Sequence, residues 1–115
     1  MREYTQFYIN GEWVEPTAPN SFDVINPANE DVCAHIALGN ETDVDKAVAA
    51  AKEAFKTYGW SSREERIAIM ESVIAAYQNN YADIAEAISV EMGAPTKLAT
   101  DAQAASGLGH LMTAL

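Results

Sequence analysis

Cysteine is almost absent from this 115-residue chain: Cys33 stands alone, so no disulfide can close within it, and a lone thiol suits a reducing compartment. Histidine is scarce too, with only His35 and His110. Basic residues are few. Seven Lys and Arg face 17 Asp and Glu, giving a net charge of −10. Such a surface repels phosphate backbones, and Arg2, Lys46, Lys52, Lys56, Arg63, Arg66 and Lys97 are scattered among acids instead of forming a stripe, which excludes a nucleic-acid partner. No run approaches the roughly 18 apolar residues of a membrane helix, and the stretch before Tyr8 lacks the continuous apolar region of a secretion signal. A cytoplasmic chain with no membrane partner is the expectation.

What is present begins with extended segments. Two short runs flank Asn10-Gly11, a pair suited to the two positive φ angles of a type I′ turn, so Phe7 to Val14 reads as a tight hairpin. Phe22, Val24 and Ile25 open a second extended run that Pro27 must end or push to an edge. After turn chemistry at Ala28-Asn29-Glu30-Asp31, the alternation of Val32, Ala34, Ile36 and Leu38 marks a half-buried strand closed by Gly39.

Four helices are expected behind the strands. The first starts at Thr42, with Asp45 completing a capping box, carries Val44, Ala47, Val48, Ala51 and Phe55 on one face, and stops at Gly59. Ser62 and Glu65 cap a second helix whose inward stripe is Ile67, Met70, Ile74 and Tyr77, with a break at Asn79-Asn80. The third runs from about Tyr81 to Met92 with Ile84, Ala87 and Ile88 inward, ended by Gly93 and Pro95. The fourth runs from about Thr96 onward, weakened by Gly107 and Gly109. Strands followed by helices, without βαβ alternation, make this stretch α+β.

Few residues invite chemistry. Cys33 lies mid-strand with no helix N-terminus to lower its thiol pKa, so it reads as a packing residue. Cys33 and His35 share a strand face, yet two ligands fall short of a zinc site, and His35 reads as a polar strand residue. Gly107-x-Gly109 follows no strand and has no third glycine, which argues against a dinucleotide loop and for close helix packing. Glu64-Glu65 and Asp43/Asp45 sit at helix starts, where capping and dipole effects account for them. Glu91 is the exception: helical spacing sets it on the apolar face of the third helix, half-buried beside open last-turn carbonyls, where it needs a partner, either an arginine or backbone N–H or a hard monovalent cation.

Four motifs in order carry a resemblance: Ile9-Asn10-Gly11-Glu12-Trp13, then Phe22-Asp23-Val24-Ile25-Asn26-Pro27-Ala28, the helix from Asp43 to Phe55, and Glu91-Met92-Gly93-Ala94-Pro95. With them the chain resembles the N-terminal portion of the NAD(P)-dependent aldehyde dehydrogenases, with Ala94 standing where lysine is frequent in that family. The resemblance implies an α/β parent fold, with residues 1–115 forming the N-terminal part of the nucleotide-binding domain in a truncated chain. It implies that the complete enzyme oxidises an aldehyde to a carboxylate with NAD or NADP. There a cysteine thiolate forms the thioester, an amide and a backbone N–H stabilise the oxyanion, and a glutamate activates water. All of these groups are expected downstream, so no catalytic or cofactor-binding residue is assigned here and the 115 residues alone are expected to be inactive. It further implies a Na+ or K+ site using backbone oxygens of Val24 and Ile25 and the carboxylate of Glu91, and a homodimer or homotetramer at full length.

A rival reading makes the chain a stand-alone acidic helical module that binds another protein. The apolar stretch from Ala104 to Leu115, which has no cap, basic last turn or polar tail, favours a severed chain or a helix end that packs on something else.

Overall fold

The computed structural model describes residues 2–115. These residues form two compact units. One comprises the stretch up to Ile25 together with Asp31–Trp60, and the other comprises Asn26–Glu30 with Ser61–Leu115.

The first unit holds the strands and one helix. β1 (Arg2–Tyr4), β5 (Val32–Ala37) and β4 (Ser21–Ile25) form a mixed sheet in that order, with β1 parallel and β4 antiparallel to the central β5. β2 (Phe7–Ile9) and β3 (Glu12–Val14) form a separate hairpin pairing Phe7 with Val14 and Tyr8 with Trp13. Its turn is the expected one, since Asn10 and Gly11 have φ of 56° and 81°. β4 stops at Ile25, two residues short of the proline that cannot donate to a ladder. Ala34, on the central strand, is buried. β1 was not foreseen: Arg-Glu-Tyr carries no alternating pattern, and only pairing to β5 makes it a strand.

α1 spans Glu41–Tyr58. Its N-cap is Asn40, not Thr42: the Asn40 side chain accepts from the Asp43 N–H and the Asp43 carboxylate accepts from the Asn40 N–H, so the capping box lies two residues earlier than expected. Asparagine caps as well as threonine or better, and a tertiary partner for Asp43, described below, adds to this choice. The expected stripe of α1 is uncovered in this chain, with Val44 60% and Phe55 67% exposed.

The second unit is helical. α2 (Arg63–Asn79) begins at the anticipated Ser62/Glu65 capping box, and its half-buried positions are Ile67, Met70, Ile74 and Tyr77, the predicted stripe. Asn80 ends α2 and precedes α3 (Tyr81–Met92), so the two helices join without a loop. Gly93 ends α3 at φ 68°, where a Cβ would meet Pro27 Cγ at 2.8 Å. The segment Asn26–Glu30 that carries Pro27 is a tight turn: Asn26 Oδ1 accepts from the Ala28 N–H at 2.9 Å and the Asn26 carbonyl from the Glu30 N–H at 2.8 Å. The expected fourth helix is a composite of a short α4 (Thr96–Leu98), a π-helical segment Ala99–Ala104 and α5 (Ala105–Ala114).

Candidate functional site

In the strand unit, Val24 is half-buried and its carbonyl accepts a hydrogen bond from the Cys33 thiol at 3.2 Å. Ile25 ends β4 at an irregularity of the β4–β5 register and is exposed. Cys33 is thus a half-buried strand residue whose sulfur is engaged with its neighbour's backbone. His35 stands opposite Glu3 on one side and Asp23 on the other, with Nδ1 2.7 Å from the Asp23 carboxylate and Nε2 3.9 Å from that of Glu3. This cross-strand row accounts for the polar histidine in the middle of the sheet. Among the described residues no group of three or more His, Cys, Asp or Glu side chains is arranged to hold a metal ion.

Among the described residues Asp43 is the one buried acid of this unit, at 6% exposure. Its Oδ1 accepts from the Thr17 N–H at 2.9 Å and the Thr17 hydroxyl at 2.5 Å, its Oδ2 from the Asn40 N–H at 3.1 Å, and Lys46 Nζ donates to the Thr17 hydroxyl at 3.0 Å. The Thr17 hydroxyl above all, then the Asn40 N–H, hold the carboxyl below its usual range, against partial burial that pushes it up. A single acid therefore caps α1 and pins the Pro16–Asn20 loop, 26 residues away in sequence. At the level of sequence Asp43 is one of two acids at the helix start, and the expected capping box pairs Thr42 with Asp45. The Asn40-x-x-Asp43 spacing held the capping signal, whereas nothing local announces Thr17.

In the helical unit, Glu91 lies in the last turn of α3 and is exposed, which corrects the expectation of a half-buried acid. The same helix end is stabilised differently, by the left-handed Gly93 and by the Ser89 hydroxyl donating to the Ala94 carbonyl at 2.8 Å. Glu65 accepts from the Ser62 N–H at 2.6 Å, and that bond lowers its pKa. Gly107 and Gly109 fall inside α5 instead of after a strand, so they do not form a dinucleotide-binding turn. Gly107 gives room to Tyr77, as expected of a packing glycine, but a Cβ at Gly109 would meet nothing within 4 Å.

A profile of the aldehyde dehydrogenase family matches residues 13–114. A 3-succinoylsemialdehyde-pyridine dehydrogenase from Pseudomonas sp. is 45% identical over 115 residues, covering 99% of this chain and 24% of its own. The crystal structure of an aldehyde dehydrogenase from Bartonella henselae superposes with a TM-score of 0.95 at 43% identity, over 97% of this chain and 24% of that one. One from Pseudomonas syringae, solved with NAD+ and octanal, gives 0.93 at 39% identity, over 96% and 23%. The chain thus spans about a quarter of the length of the relatives it matches, corresponding to their N-terminal part. No helix among the described residues is long and apolar enough to cross a membrane. The motif order, the paired small sheets and the helical run converge with these matches, and the chain belongs to the aldehyde dehydrogenase family.

Proposed function

We propose that this chain is the N-terminal part of the nucleotide-binding domain of a cytoplasmic, NAD- or NADP-dependent aldehyde dehydrogenase, and that it serves there as scaffold. The observation that carries this reading is a match over nearly the whole chain to about a quarter of each relative, one of them solved with NAD+ and octanal. The residues of this chain bind, cap and position helices: Asp43 ties a loop to α1, and Gly93 seats Pro27. None is given a chemical step. The acidic protein-interaction module finds no support in the comparisons.

The test is a graft. This stretch replaces the matching quarter of the Bartonella henselae enzyme, and NADH formation from an aldehyde is followed for the chimera and for the 115 residues alone. An active chimera beside an inactive isolated chain is expected. Turnover by the isolated chain, or a folded chimera that binds NAD+ yet oxidises nothing, would overturn the reading.

Two finer parts of the proposal rest on the resemblance alone. One is assembly of the complete enzyme as a homodimer or homotetramer, checked by light scattering. The other is a role for the Val24 and Ile25 carbonyls and Glu91 as ligands of Na+ or K+. In the chimera, replacing choline chloride by KCl should raise the Tm, and Glu91→Gln should abolish that rise. An equal rise in both proteins would remove Glu91 from the proposal.

A further inference from the structure

The segment Ala99–Ala104 reads Ala-Thr-Asp-Ala-Gln-Ala, free of Gly and Pro and half alanine, the strongest α-former. Its local preference is the α-helix, yet it is wound as a π-helix between α4 and α5. A π turn takes up an extra residue and departs from the i→i−4 ladder, so something outside the segment must favour it.

Two side chains of the same unit supply that bias. The Tyr81 hydroxyl, at the start of α3, donates to the Thr100 carbonyl at 2.5 Å, and the Tyr77 hydroxyl, in the last turn of α2, donates to the Ala104 carbonyl at 2.9 Å. Donors and acceptors share a spacing of four residues. The two rings meet edge to face with centroids 6.3 Å apart, which holds the hydroxyls as a pair. Ala99 and Ala104 are both 0% exposed, so small side chains let the segment sit close against its neighbours. Gly107 extends the close approach, because a Cβ there would run into the Tyr77 hydroxyl.

We infer that the hydroxyls of Tyr77 and Tyr81 are a register clamp that selects π over α winding at Ala99–Ala104 and thereby sets the rotation of α5. Reversion to an α-helix shifts the phase of everything after the segment by one residue, about 100°. That turn carries the half-buried face of α5, Gly107, Leu108 and Leu111, away from its present surroundings. Both tyrosines are positioning residues.

The test is solution NMR on the full chain carrying Tyr77→Phe and Tyr81→Phe, reading i→i+4 against i→i+5 connectivities across Ala99–Ala104 and the amide exchange of the segment. Phenylalanine keeps the ring pair and removes only the donors. The expected result is α connectivities, exchange faster by roughly tenfold for each lost hydroxyl, and exposure of Leu108 and Leu111. Deleting Ala102 in the same background removes the extra residue, and slow exchange with protected Leu108 and Leu111 should return. Persistence of π connectivities with unchanged exchange in the double phenylalanine variant overturns the clamp. Should that variant be unfolded, the deletion decides: recovery of a folded protein supports the clamp, and no recovery overturns it.

Discussion

Gly107 and Gly109 lie two residues apart in α5 and should answer alanine with opposite signs. Replacing glycine by alanine in a helix interior gains about 1 kcal/mol from backbone entropy alone. At Gly109 the added Cβ meets nothing within 4 Å, so Gly109→Ala should keep that gain. At Gly107 the Cβ lies 3.0 Å from Tyr77 Cζ and 3.3 Å from Cε2, and nearer still to the hydroxyl oxygen. The ring cannot swing aside freely, because that hydroxyl holds the Ala104 carbonyl at 2.9 Å. Overpacking costs about 1–3 kcal/mol and a lost hydrogen bond about 1 more, which outweighs the entropic gain. Gly107→Ala should therefore destabilise by about 1–3 kcal/mol. Urea unfolding followed by circular dichroism should separate the two midpoints by about 1 M for a slope of 2 to 3 kcal/mol/M. Adding Tyr77→Phe removes the clashing oxygen, so Gly107→Ala with Tyr77→Phe should cost less than the sum of the single changes. Equal stabilisation by both alanines would refute the steric reasoning.

Gly93→Ala combines a left-handed φ of 68° with a contact of 2.8 Å to Pro27 Cγ and should cost about 2 kcal/mol or more, whereas Gly11→Ala, left-handed at 81° but in open space, should cost only about 1; thermal melts of the two variants check the order. Asp43 has its folded pKa lowered, so its contribution to stability is complete above the ordinary aspartate value near 4 and is lost as the pH falls through the folded value. Stability measured against pH should accordingly fall less steeply in acid for Asp43→Asn than for the parent, and equal acid limbs would deny Asp43 that role. The uncovered apolar face of α1, with Val44 and Phe55 more than half exposed, should make the isolated chain bind a hydrophobic dye and self-associate; Val44→Ser with Phe55→Ser should reduce both, as read by dye fluorescence and sedimentation.

Signals that reside in a few adjacent residues were legible without coordinates. Asn10-Gly11 announced its hairpin, Ser62 and Glu65 their capping box, and Gly93 the end of α3, because each is a local backbone requirement met by local chemistry. The stripe Ile67, Met70, Ile74 and Tyr77 was equally plain, since helical periodicity sorts faces whatever the partner. The burial of Glu91 was not legible in this way. Glu91 shares the spacing of Ile84, Ala87 and Ile88 yet is exposed in the last turn of α3, and a helical repeat alone does not tell which of its positions are covered.

Three features belong to tertiary structure. β1 exists because Arg2–Tyr4 finds β5, Asp43 rather than Asp45 completes the cap of α1 with the support of Thr17, and Ala99–Ala104 abandons its α preference where two tyrosine hydroxyls meet its carbonyls. The sequence by itself determined the membership of the chain in its family, the order of strands before helices and most helix boundaries, since those depend on periodicity, caps and breakers written within a turn or two. The winding of the last helix and the anchoring of the first were decided only in three dimensions, because hydrogen bonds between residues 19 to 27 positions apart outweigh local propensities worth less than about 1 kcal/mol per residue.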